Sequence, residues 1–576
     1  MSVDQPSTVV SELESDQPGE RTARPHRAYT AAQAFVAQLA ACGVESVFGN
    51  PGTTEYAILD AIQERDDIDL IVALHEGVAV SAAAGYARAS GKVGVVELHA
   101  SPGLGNGLGM IYNAWTGQTP LLIYVGQNDQ ASLYLEPSLA SDLVAIAKPV
   151  TKWAYEIRTS DEVPQIVRRA MKVAQTPPLG PVVISLPMDI SEQPCSTPVQ
   201  APSALRLAVP GDPAAIQDAV DLLASATSPV IVPGDGVVRS KAQAELSRLA
   251  RLIGAPIRAG TMAETAIEPD EPLTANRLAL GGAETNAALA EHDVVVAVGT
   301  KVFQQLFPIP GDPVPGAEVI HIGLDPWEMG KNNLSTLLHG DERTVLGQIA
   351  EQLERRADKD ARRRWTARRQ HVEAELAAAA AAALDHDRKT WEARPMTPAR
   401  MAHEIVAGLP EDVCLVDEAI TAQPALYRYY TPKIARWFRL RGGGIGEGLP
   451  MAVGVKLARP DSPVVALSGD GSSMYAMTAL WTAAHHDLPV VWIILNNATY
   501  RILQQNAVRR RPGEQAKLPV LGTSLTGPAL DFATIAKGHG VHGVRVEDPA
   551  LLASAVRDAV ASGVPTLLDV AIGIVR

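Results

Sequence analysis

The sequence predicts an α/β protein built from three doubly wound parallel-sheet domains. Short β-branched runs alternate with helical runs in three successive blocks of the 576 residues. Such alternation is typical of parallel sheets that are covered by helices on both faces. Hydrophobic residues make up 47% of the chain, which is enough for several buried cores. A chain of this length is expected to hold about three domains of ordinary size.

The first block predicts an N-terminal domain over residues 28–192, preceded by a disordered polar tail over residues 1–27. The tail contains no apolar segment that could form a core. A Pro- and Ser-rich stretch, residues 193–213, is predicted to be a linker. The predicted elements of the domain are, in order, helix Ala31–Cys42, strand Ser46–Phe48, strand Ile68–Ala73, helix Glu76–Ser90, strand Val93–Leu98 and strand Leu121–Val125.

The second block predicts a central domain over residues 214–350, followed by a connecting helical segment over residues 351–394. The connecting segment is charged and Ala-rich, and acidic residues flank its arginines on both sides. This pattern favours a solvated helix between domains over a nucleic-acid patch. The predicted elements of the central domain are helix Ala214–Ser225, strand Pro229–Val232, helix Lys241–Ile253 and strands Val294–Val298 and Glu318–Gly323.

The third block, residues 395–576, contains the most informative pair of motifs. Asp470 lies in Gly469-Asp470-Gly471, just after the apolar run Pro463–Ser468, and Asn497 follows 27 positions later, after the run Val490–Leu495. A helix over Ala476–His486 would join the two strands and bring both residues to the same sheet edge. A carboxylate and an amide oxygen are hard ligands that suit Mg²⁺ bound together with phosphates.

A second Gly-Asp-Gly motif, Gly234-Asp235-Gly236, also follows an apolar run. The residue 27 positions after Asp235 is Met262, which is not a hard ligand. We therefore interpret this second motif as a turn.

Charge and cysteine content limit the possible partners and location. The formal net charge of −14 argues against nucleic acid, because nucleic-acid binding rests on Lys and Arg contacts to phosphates. The three cysteines form neither a metal spacing nor a disulfide framework. The sequence contains no long uncharged apolar run. We expect a cytoplasmic protein with no membrane partner.

The segment from Gly469 to Tyr500, GDGSSMYAMTALWTAAHHDLPVVWIILNNATY, resembles the thiamine-diphosphate motif. The wider chain resembles benzoylformate decarboxylase-type enzymes of the acetolactate synthase-like superfamily. The stretches FGNPGTTE, ALHEGVAVSAAAGYA and ELHASPGLGNG carry this resemblance in the first block, and PVTKW and DFATIAKGHGV extend it. It implies pyrimidine-binding, central and diphosphate-binding domains, with thiamine diphosphate and Mg²⁺ as cofactors. It also implies a homodimer or homotetramer with shared active sites.

The resemblance assigns cofactor roles to residues of the first and third blocks. Glu76 matches the glutamate that contacts the aminopyrimidine and promotes loss of the thiazolium proton. Ile445, in a glycine-rich run with Gly444, matches an apolar residue that props the cofactor into a bent shape. Asp470, Asn497 and the backbone carbonyl of Thr499 would hold Mg²⁺. The remaining residues of the diphosphate motif expected to bind the cofactor are Gly469, Gly471 and Ser472.

The resemblance also points to two residues near the substrate. His99 follows the predicted strand Val93–Leu98 and matches an active-site histidine, which can exchange protons near neutral pH. Thr53 stands where a serine that binds the substrate carboxylate is expected, so the hydroxyl is retained.

Two departures from the decarboxylase type concern the substrate. Leu306 is expected at the position of a second catalytic histidine, and leucine cannot transfer a proton. An expected aromatic wall is replaced by the polar run Arg501–Asn506. The nearby Arg509-Arg510-Arg511 could attract an anionic substrate, although a solvated charge run explains it equally well.

Three functions remain open on the sequence. The first is decarboxylation of a 2-keto acid through an enamine intermediate. The second is carboligation of the acetolactate synthase type, in which the enamine joins an aldehyde or keto acid acceptor; the loss of the second histidine favours it. The third is a non-catalytic homologue, and the presence of Glu76, Asp470 and Asn497 argues against it. No motif points to a flavin in the central domain.

Overall fold

The computed structural model describes residues 29–260, 263–264, 267–279, 281–301, 309, 314, 316–331, 335–510 and 520–573. The predicted tail over residues 1–27, Leu306 and Arg511 lie outside the described residues. Three α/β units follow one another along the chain, each with a parallel sheet flanked by helices. The predicted fold class is confirmed.

The N-terminal unit is a parallel sheet with the strand order β3-β2-β4-β5-β7-β6. Its four inner strands are buried because helices cover both faces, which explains their apolar, Val-rich runs. The strands are β2 Ser46–Asn50, β3 Asp69–Val72, β4 Gly94–Leu98, β5 Leu121–Gln127, β6 Trp153–Glu156 and β7 Val182–Pro187, and a short antiparallel pair joins β1 Tyr29–Thr30 to β8 Pro194–Cys195. The helices are α1 Ala31–Ala41, α2 Tyr56–Gln63, α3 Glu76–Ser90, α4 Ala100–Thr116, α5 Leu143–Ala147, α6 Val163–Gln175 and α7 Met188–Ser191.

The central unit is a parallel sheet with the order β12-β11-β10-β9, and parallel bridges from Ile257 to Ile231 and to Thr274 extend it beyond β9. The order therefore reverses between β9 and β10, as in doubly wound folds. The strands are β9 Pro229–Pro233, β10 Val294–Val298, β11 Glu318–Gly323 and β12 Thr336–His339. The helices are α8 Pro213–Ser225, α9 Asp235–Arg239, α10 Gln243–Ile253, α11 Gly282–Leu289, α12 Pro326–Met329, α13 Glu342–Arg356 and α14 Lys359–Arg388.

The C-terminal unit repeats the strand order of the first, with β14-β13-β15-β16-β18-β17. The strands are β13 Cys414–Glu418, β14 Trp437–Arg439, β15 Val464–Gly469, β16 Val490–Asn496, β17 His542–Val546 and β18 Thr566–Ala571. The helices are α15 Pro398–Gly408, α16 Gln423–Tyr429, α17 Gly448–Ala458, α18 Asp470–Ser473, α19 Thr478–His485, α20 Arg501–Arg510, α21 Phe532–Gly538 and α22 Pro549–Ala561.

The connecting segment differs from the prediction in one respect. The expected domain boundary at residue 350 falls inside α13, and the helical segment is two helices rather than one. Asp358 causes the break, because its side chain accepts a hydrogen bond from the Ala361 N–H and caps the start of α14.

Helices α3 and α17 hold the first and third units together by direct backbone contact. A Cβ atom on Gly85 would lie 2.3 Å from the Met451 carbonyl oxygen, and one on Gly454 would lie 1.8 Å from the Ala82 carbonyl oxygen. Only glycine allows two helices to approach this closely. Among the described residues, we find no helix that has both the length and the apolar character to span a membrane.

Candidate active site

The predicted site residues lie at the carboxyl ends of parallel strands, where the strand order of each sheet reverses. In the N-terminal unit the reversal lies between β2 and β4, and His99 follows β4 directly. In the C-terminal unit it lies between β13 and β15, and Asp470 follows β15 directly. Ligands of open α/β sheets bind in the crevice at this point. The topology thus makes both strand ends candidate binding positions.

Glu76 is the first residue of α3 and is buried. Its Oε2 accepts a hydrogen bond of 3.0 Å from Asn106 Nδ2 of α4. Gly103 leaves room for the carboxyl group, since a Cβ atom there would lie 3.4 Å from Glu76 Oε1. The amide of Asn106, which lies in the ELHASPGLGNG segment, therefore orients the carboxyl group that is predicted to activate the cofactor.

His99 belongs to a hydrogen-bonded cluster with the two residues that follow Thr53. Its Nδ1 lies 2.9 Å from Glu55 Oε2 and 3.1 Å from Thr54 Oγ1. Glu55 is fully buried and also accepts hydrogen bonds from the Gly52 N–H at 3.1 Å and from the Thr54 hydroxyl. A Cβ atom on Gly52 would lie 2.2 Å from the imidazole, so the glycine is needed for the ring to fit. With Nδ1–H donated to Glu55, the Nε2 atom is left for proton exchange.

Thr53 is placed differently from its neighbours. It begins the 3₁₀ turn Thr53–Glu55 and is exposed, and it is Thr54 that contacts His99. Its role as a binder of the substrate carboxylate stays a prediction.

The structure brings Asp470 and Asn497 together. Asp470 is 3% exposed, and backbone N–H groups of Asn497, Ala498 and Thr499 lie near its carboxylate. Burial raises the pKa of Asp470, whereas these N–H groups oppose the rise. Its Oδ1 accepts the Gly471 N–H at 2.8 Å, but the buried Oδ2 has no hydrogen-bond partner. An orphaned, buried carboxylate oxygen beside the backbone of Asn497 and Thr499 fits a cation that is held by oxygen ligands.

The side chain of Thr499 is not available to a metal. Its hydroxyl donates to the Thr523 carbonyl at 2.9 Å and accepts from Gln504 Nε2 at 3.0 Å. A role in metal binding is therefore left to its backbone carbonyl, as expected. Asn497 Oδ1 accepts the Thr499 N–H at 3.0 Å, which fixes the amide. The other predicted cofactor residues of this motif surround α18, with Gly469 as its N-cap and Gly471 and Ser472 in its first turn.

The polar run Arg501–Asn506, which stands where an aromatic wall is expected, forms the first part of α20. Gln504 is buried and its amide bonds to Thr499 and Thr523 rather than to open space. Arg509 Nε lies 4.0 Å from Glu284 Oε1, and both side chains are about half exposed. Gln504 therefore supports the loop that is predicted to bind the metal.

The glycine-rich loop that carries Gly444 and Ile445 is fixed by residues of two units. Asn113 of α4 clamps Gly444: its Nδ2 donates to the Gly444 carbonyl at 2.8 Å, and its Oδ1 accepts the Gly444 N–H at 3.0 Å. Glu418, the last residue of β13, accepts the N–H groups of Gly446 and Gly448 at 2.6 and 2.9 Å. Ile445 lies between these fixed points and is half-buried.

The second Gly-Asp-Gly motif has a structural role in the same loop. It forms the turn from β9 into α9, as expected, and Asp235 accepts a hydrogen bond of 2.7 Å from Arg441 Nη2. Both residues line a cavity of about 690 Å³ that lies between the three units. Glu447 accepts the Arg441 N–H at 2.9 Å, and burial raises the pKa of Glu447 to about 7. The central unit thus braces the loop that carries Ile445.

The N-terminal and C-terminal halves of the predicted site remain separate within one chain. Among the described residues, no hydrogen bond or ion pair joins Glu76 or His99 to Asp470 or Asn497. No group of three or more His, Cys, Asp or Glu side chains suited to a metal occurs in the described part of the chain. The candidate cation site therefore depends on amide and carbonyl oxygens beside one carboxylate.

Sequence reasoning missed three buried polar residues of the site. Glu55 stands in the quoted FGNPGTTE segment but was not singled out. Asn113 lies in the apolar second half of α4, and Glu418 is the last residue of β13, whose five residues are all buried. A polar residue inside or at the end of an otherwise apolar run was the available signal in the last two cases.

The fold and the site define a class of cofactor enzyme. Family models for the thiamine pyrophosphate enzymes match three parts of the chain: the N-terminal TPP binding domain over residues 29–146, the central domain over residues 216–349 and the C-terminal TPP binding domain over residues 421–570. The chain belongs to the thiamine pyrophosphate enzyme family.

The similarity to individual members extends over nearly the whole chain. Benzoylformate decarboxylase from Pseudomonas aeruginosa is 33% identical over 535 residues, covering 92% of this chain and 96% of that protein. A probable acetolactate synthase large subunit from Methanococcus aeolicus is 30% identical, covering 94% of this chain and 92% of that protein. The solved thiamine diphosphate-dependent 4-hydroxybenzoylformate decarboxylase from Rhodococcus jostii RHA1 superposes with a TM-score of 0.83 at 29% identity, covering 95% of this chain and 100% of that chain. The resemblance stated from the sequence is confirmed.

Proposed function

We propose that this chain is a cytoplasmic, Mg²⁺- and thiamine diphosphate-dependent decarboxylase of a 2-keto acid. The observation that carries the proposal is the pairing of two half-sites in one fold. One holds the buried carboxyl of Glu76 beside the His99–Glu55 pair, and the other holds Asp470 with its orphaned Oδ2 beside Asn497. Thiamine diphosphate, when bound, supplies a carbon nucleophile and an electron sink for the bond to the departing carboxylate.

The residues of the C-terminal half-site would bind the cofactor. Asp470, Asn497 and the Thr499 carbonyl would hold Mg²⁺, and the cation would neutralise the diphosphate. The loop fixed by Asn113 and Glu418 would hold Ile445 in place to support a bent cofactor.

The residues of the N-terminal half-site would move protons and orient the substrate. Glu76 would exchange a proton with the aminopyrimidine, because Asn106 already orients its carboxyl. His99 would exchange a proton through Nε2 with a substrate oxygen or carbon, because its Nδ1 is held by Glu55. The Thr53 hydroxyl is exposed and would donate to the substrate carboxylate.

We propose further that the complete site forms between two subunits, in a homodimer or a homotetramer. The two half-sites share no hydrogen bond or ion pair within the described residues of one chain, and backbone contact between α3 and α17 fixes the units that carry them. A two-fold axis would place the N-terminal half-site of each subunit against the C-terminal half-site of its partner.

The activity is tested by incubating the protein with single 2-keto acids, thiamine diphosphate and Mg²⁺, and measuring carbon dioxide release. Benzoylformate, 4-hydroxybenzoylformate and pyruvate form a first set, and Glu76→Gln serves as the inactive control. Cofactor-dependent release from at least one acid, lost in the control, is the expected result. If no acid in a broad set releases carbon dioxide from protein that binds the cofactor, the decarboxylase proposal fails.

The metal role is tested with Asp470→Ala in titration calorimetry. We expect thiamine diphosphate to bind at least about 100-fold more weakly with Mg²⁺ present, because the diphosphate loses its bridging cation. Asp461→Ala, a change on an exposed turn of the same unit, is the matched control. Equal affinity in the Asp470 variant and the control would contradict the metal assignment.

Carboligation is the second candidate, and the relative at 30% identity that is named a probable acetolactate synthase favours it. Leu306, expected at the position of a second histidine, would slow protonation of the intermediate and favour capture by an acceptor carbonyl. The ratio of aldehyde to hydroxyketone at fixed acceptor concentration separates the two reactions. Leu306→His is expected to raise that ratio, by up to about 10²-fold for one positioned acid.

A further inference from the structure

A buried acid behind the His99–Glu55 pair has no role in the scheme above. Glu97 is the fourth residue of β4, two positions before His99, and is 1% exposed. Neither of its carboxyl oxygens has a hydrogen-bond partner. A buried carboxyl group without a donor is costly in its charged form, so such a group in a native fold calls for an explanation.

The sheet is shaped to hold this side chain. In the parallel ladder Glu97 is the neighbour of Gly49 on β2 and of Tyr124 on β5. A Cβ atom on Gly49 would lie 2.3 Å from Glu97 Oε2, so glycine at this position makes the space for the carboxyl group. Gly126 does the same for Glu55, since a Cβ atom there would lie 1.9 Å from Glu55 Oε1. Two glycines thus make space for two buried carboxyl groups.

The two carboxyl groups differ in the donors that reach them. Glu55 accepts hydrogen bonds from Gly52, Thr54 and His99, which stabilise a carboxylate. Glu97 accepts none, and the Tyr124 hydroxyl beside it is also buried without a partner. Two negative charges at close range in a region of low dielectric repel strongly, so one proton is retained. The distribution of donors assigns that proton to Glu97.

We propose that Glu97 is a neutral carboxylic acid at pH 7 and that it sets the proton affinity of the Glu55–His99 pair. It is a positioning residue, because it acts through Glu55. While Glu97 is neutral, Glu55 is the one buried negative charge that contacts His99. When Glu97 ionises, a second negative charge stabilises the imidazolium form of His99 and makes that residue a poorer acid.

The charged surroundings agree with this assignment. Burial raises the pKa of Glu97 to about 8, and the negative charges of Glu55, from the Thr53–Glu55 turn, and then of Glu76, from α3, add to the rise. Tyr124 of β5 and His99 at the end of β4 complete the titratable groups around it, and β2 contributes Gly49. None of the interactions that shift the pKa of Glu97 comes from a cation.

The protonation state of Glu97 is tested without substrate. The result is therefore independent of the proposed decarboxylase activity, on which the role of Glu97 in catalysis rests. Infrared difference spectra of wild type against Glu97→Gln, with cofactor bound, are expected to show a carboxylic acid C=O band at pH 7. The band should titrate with a midpoint near pH 8. Glu271→Gln is the control, because Glu271 is also buried but its Oε2 lies 2.9 Å from Arg251 Nη2, and this variant should retain the band of Glu97. Absence of the band in wild type at pH 7 would overturn the proposal.

The effect on His99 is tested by the pH dependence of kcat and by the NMR signals of its imidazole. The alkaline limb of the kcat profile near pH 8 should be present in wild type and absent from Glu97→Gln, because the glutamine cannot ionise. Glu97→Leu is also uncharged at every pH and should lack the same limb. The imidazole signals of His99 should shift near pH 8 in wild type, as Glu97 ionises, and not in Glu97→Gln. Identical profiles and identical His99 signals in wild type and Glu97→Gln would show that Glu97 only fills space.

Discussion

The crossing of α3 and α17 predicts a large effect from adding one methyl group. Gly454→Ala would place a Cβ atom 1.8 Å from the Ala82 carbonyl oxygen, whereas real Cβ contacts stay above 3.0 Å. The two helices must therefore separate by about 1 Å. Overpacking of this kind costs about 1–3 kcal/mol or more, and the helix propensity gained by replacing glycine with alanine offsets about 1 kcal/mol of it.

The measurement is thermal unfolding at fixed subunit concentration, with and without cofactor, because assembly and ligand both shift the melting temperature. For units of this size, 1 kcal/mol corresponds to about 2–4 °C. Because an approach of 1.8 Å is severe, the cost of overpacking lies at the upper end of the range of about 1–3 kcal/mol, and the net loss is about 2 kcal/mol. We therefore expect Gly454→Ala to lower the first transition by about 4–8 °C. Gly85→Ala, whose Cβ atom would lie 2.3 Å from the Met451 carbonyl oxygen, should act in the same direction.

Gly347→Ala is the matched control, because Gly347 lies in the middle of α13 with no atom within 4 Å of its Cβ position. This variant should raise the melting temperature by about 2–4 °C through helix propensity alone. If Gly454→Ala melts at or above wild type while the control behaves as expected, the close packing of α3 on α17 is not present in solution.

Four further predictions concern the site. Glu76→Gln should leave the melting temperature near that of wild type. Proton exchange at the reactive carbon of the cofactor should slow by about 10²–10⁴-fold when it is followed by NMR. Unchanged exchange would exclude Glu76 as the activating acid. Equal amounts of Glu76→Gln and Asp470→Ala chains that are allowed to exchange subunits should regain about a quarter of wild-type activity. Half of the dimers are then mixed, and each mixed dimer has one intact site of two. No recovery after proven exchange would contradict a shared site. Burial raises the pKa of Glu97 to about 8 from the ordinary value of 4.5, so the folded state holds one extra proton between these pH values. The contribution of Glu97 to the free energy of unfolding therefore falls by about 1.4 kcal/mol per pH unit as pH rises through that window. In denaturant unfolding, the difference in stability between wild type and Glu97→Gln should change by this slope, and a constant difference would contradict the assignment. Asp235→Asn should weaken thiamine diphosphate binding about tenfold while the Mg²⁺ dependence is retained, because Arg441 loses the nearer of its two acidic partners, Asp235 and Glu264. Equal affinity would show that the ion pair does not brace the cofactor loop.

Much of the fold could be predicted because its local signals agree with one another. Both ends of helix α3 were predicted to the residue. Its C-terminal end is sharp because Gly91, directly after Ser90, adopts a φ of +75° and stops the helix. Strand β12 was missed because its four residues, TLLH, give too short an alternating pattern. The two-helix connecting segment was predicted as one because a single capping aspartate, Asp358, is a weak signal inside a charged, Ala-rich run.

The site residues that could not be predicted depend on contacts distant in sequence or on the direction of a side chain. Asn113 and Gly444 are 331 positions apart, so no local pattern could join them. Thr53, Thr54 and Glu55 lie in one 3₁₀ turn, and only its geometry decides that the last two, and not the first, face His99. The motif residues were predictable because the resemblance supplies their partners.

The identical strand order of the first and third units makes their strand ends directly comparable. In both sheets the third strand along the chain ends at the reversal of order, and the next residue is His99 in one unit and Asp470 in the other. Two copies of one ancestral unit would explain this correspondence. Under the proposed function, one copy would serve proton transfer and the other would bind metal and diphosphate, so duplication of the unit would have preceded this division of roles. Grafting metal ligands onto the strand end that now carries His99 would reconstruct that earlier symmetric state.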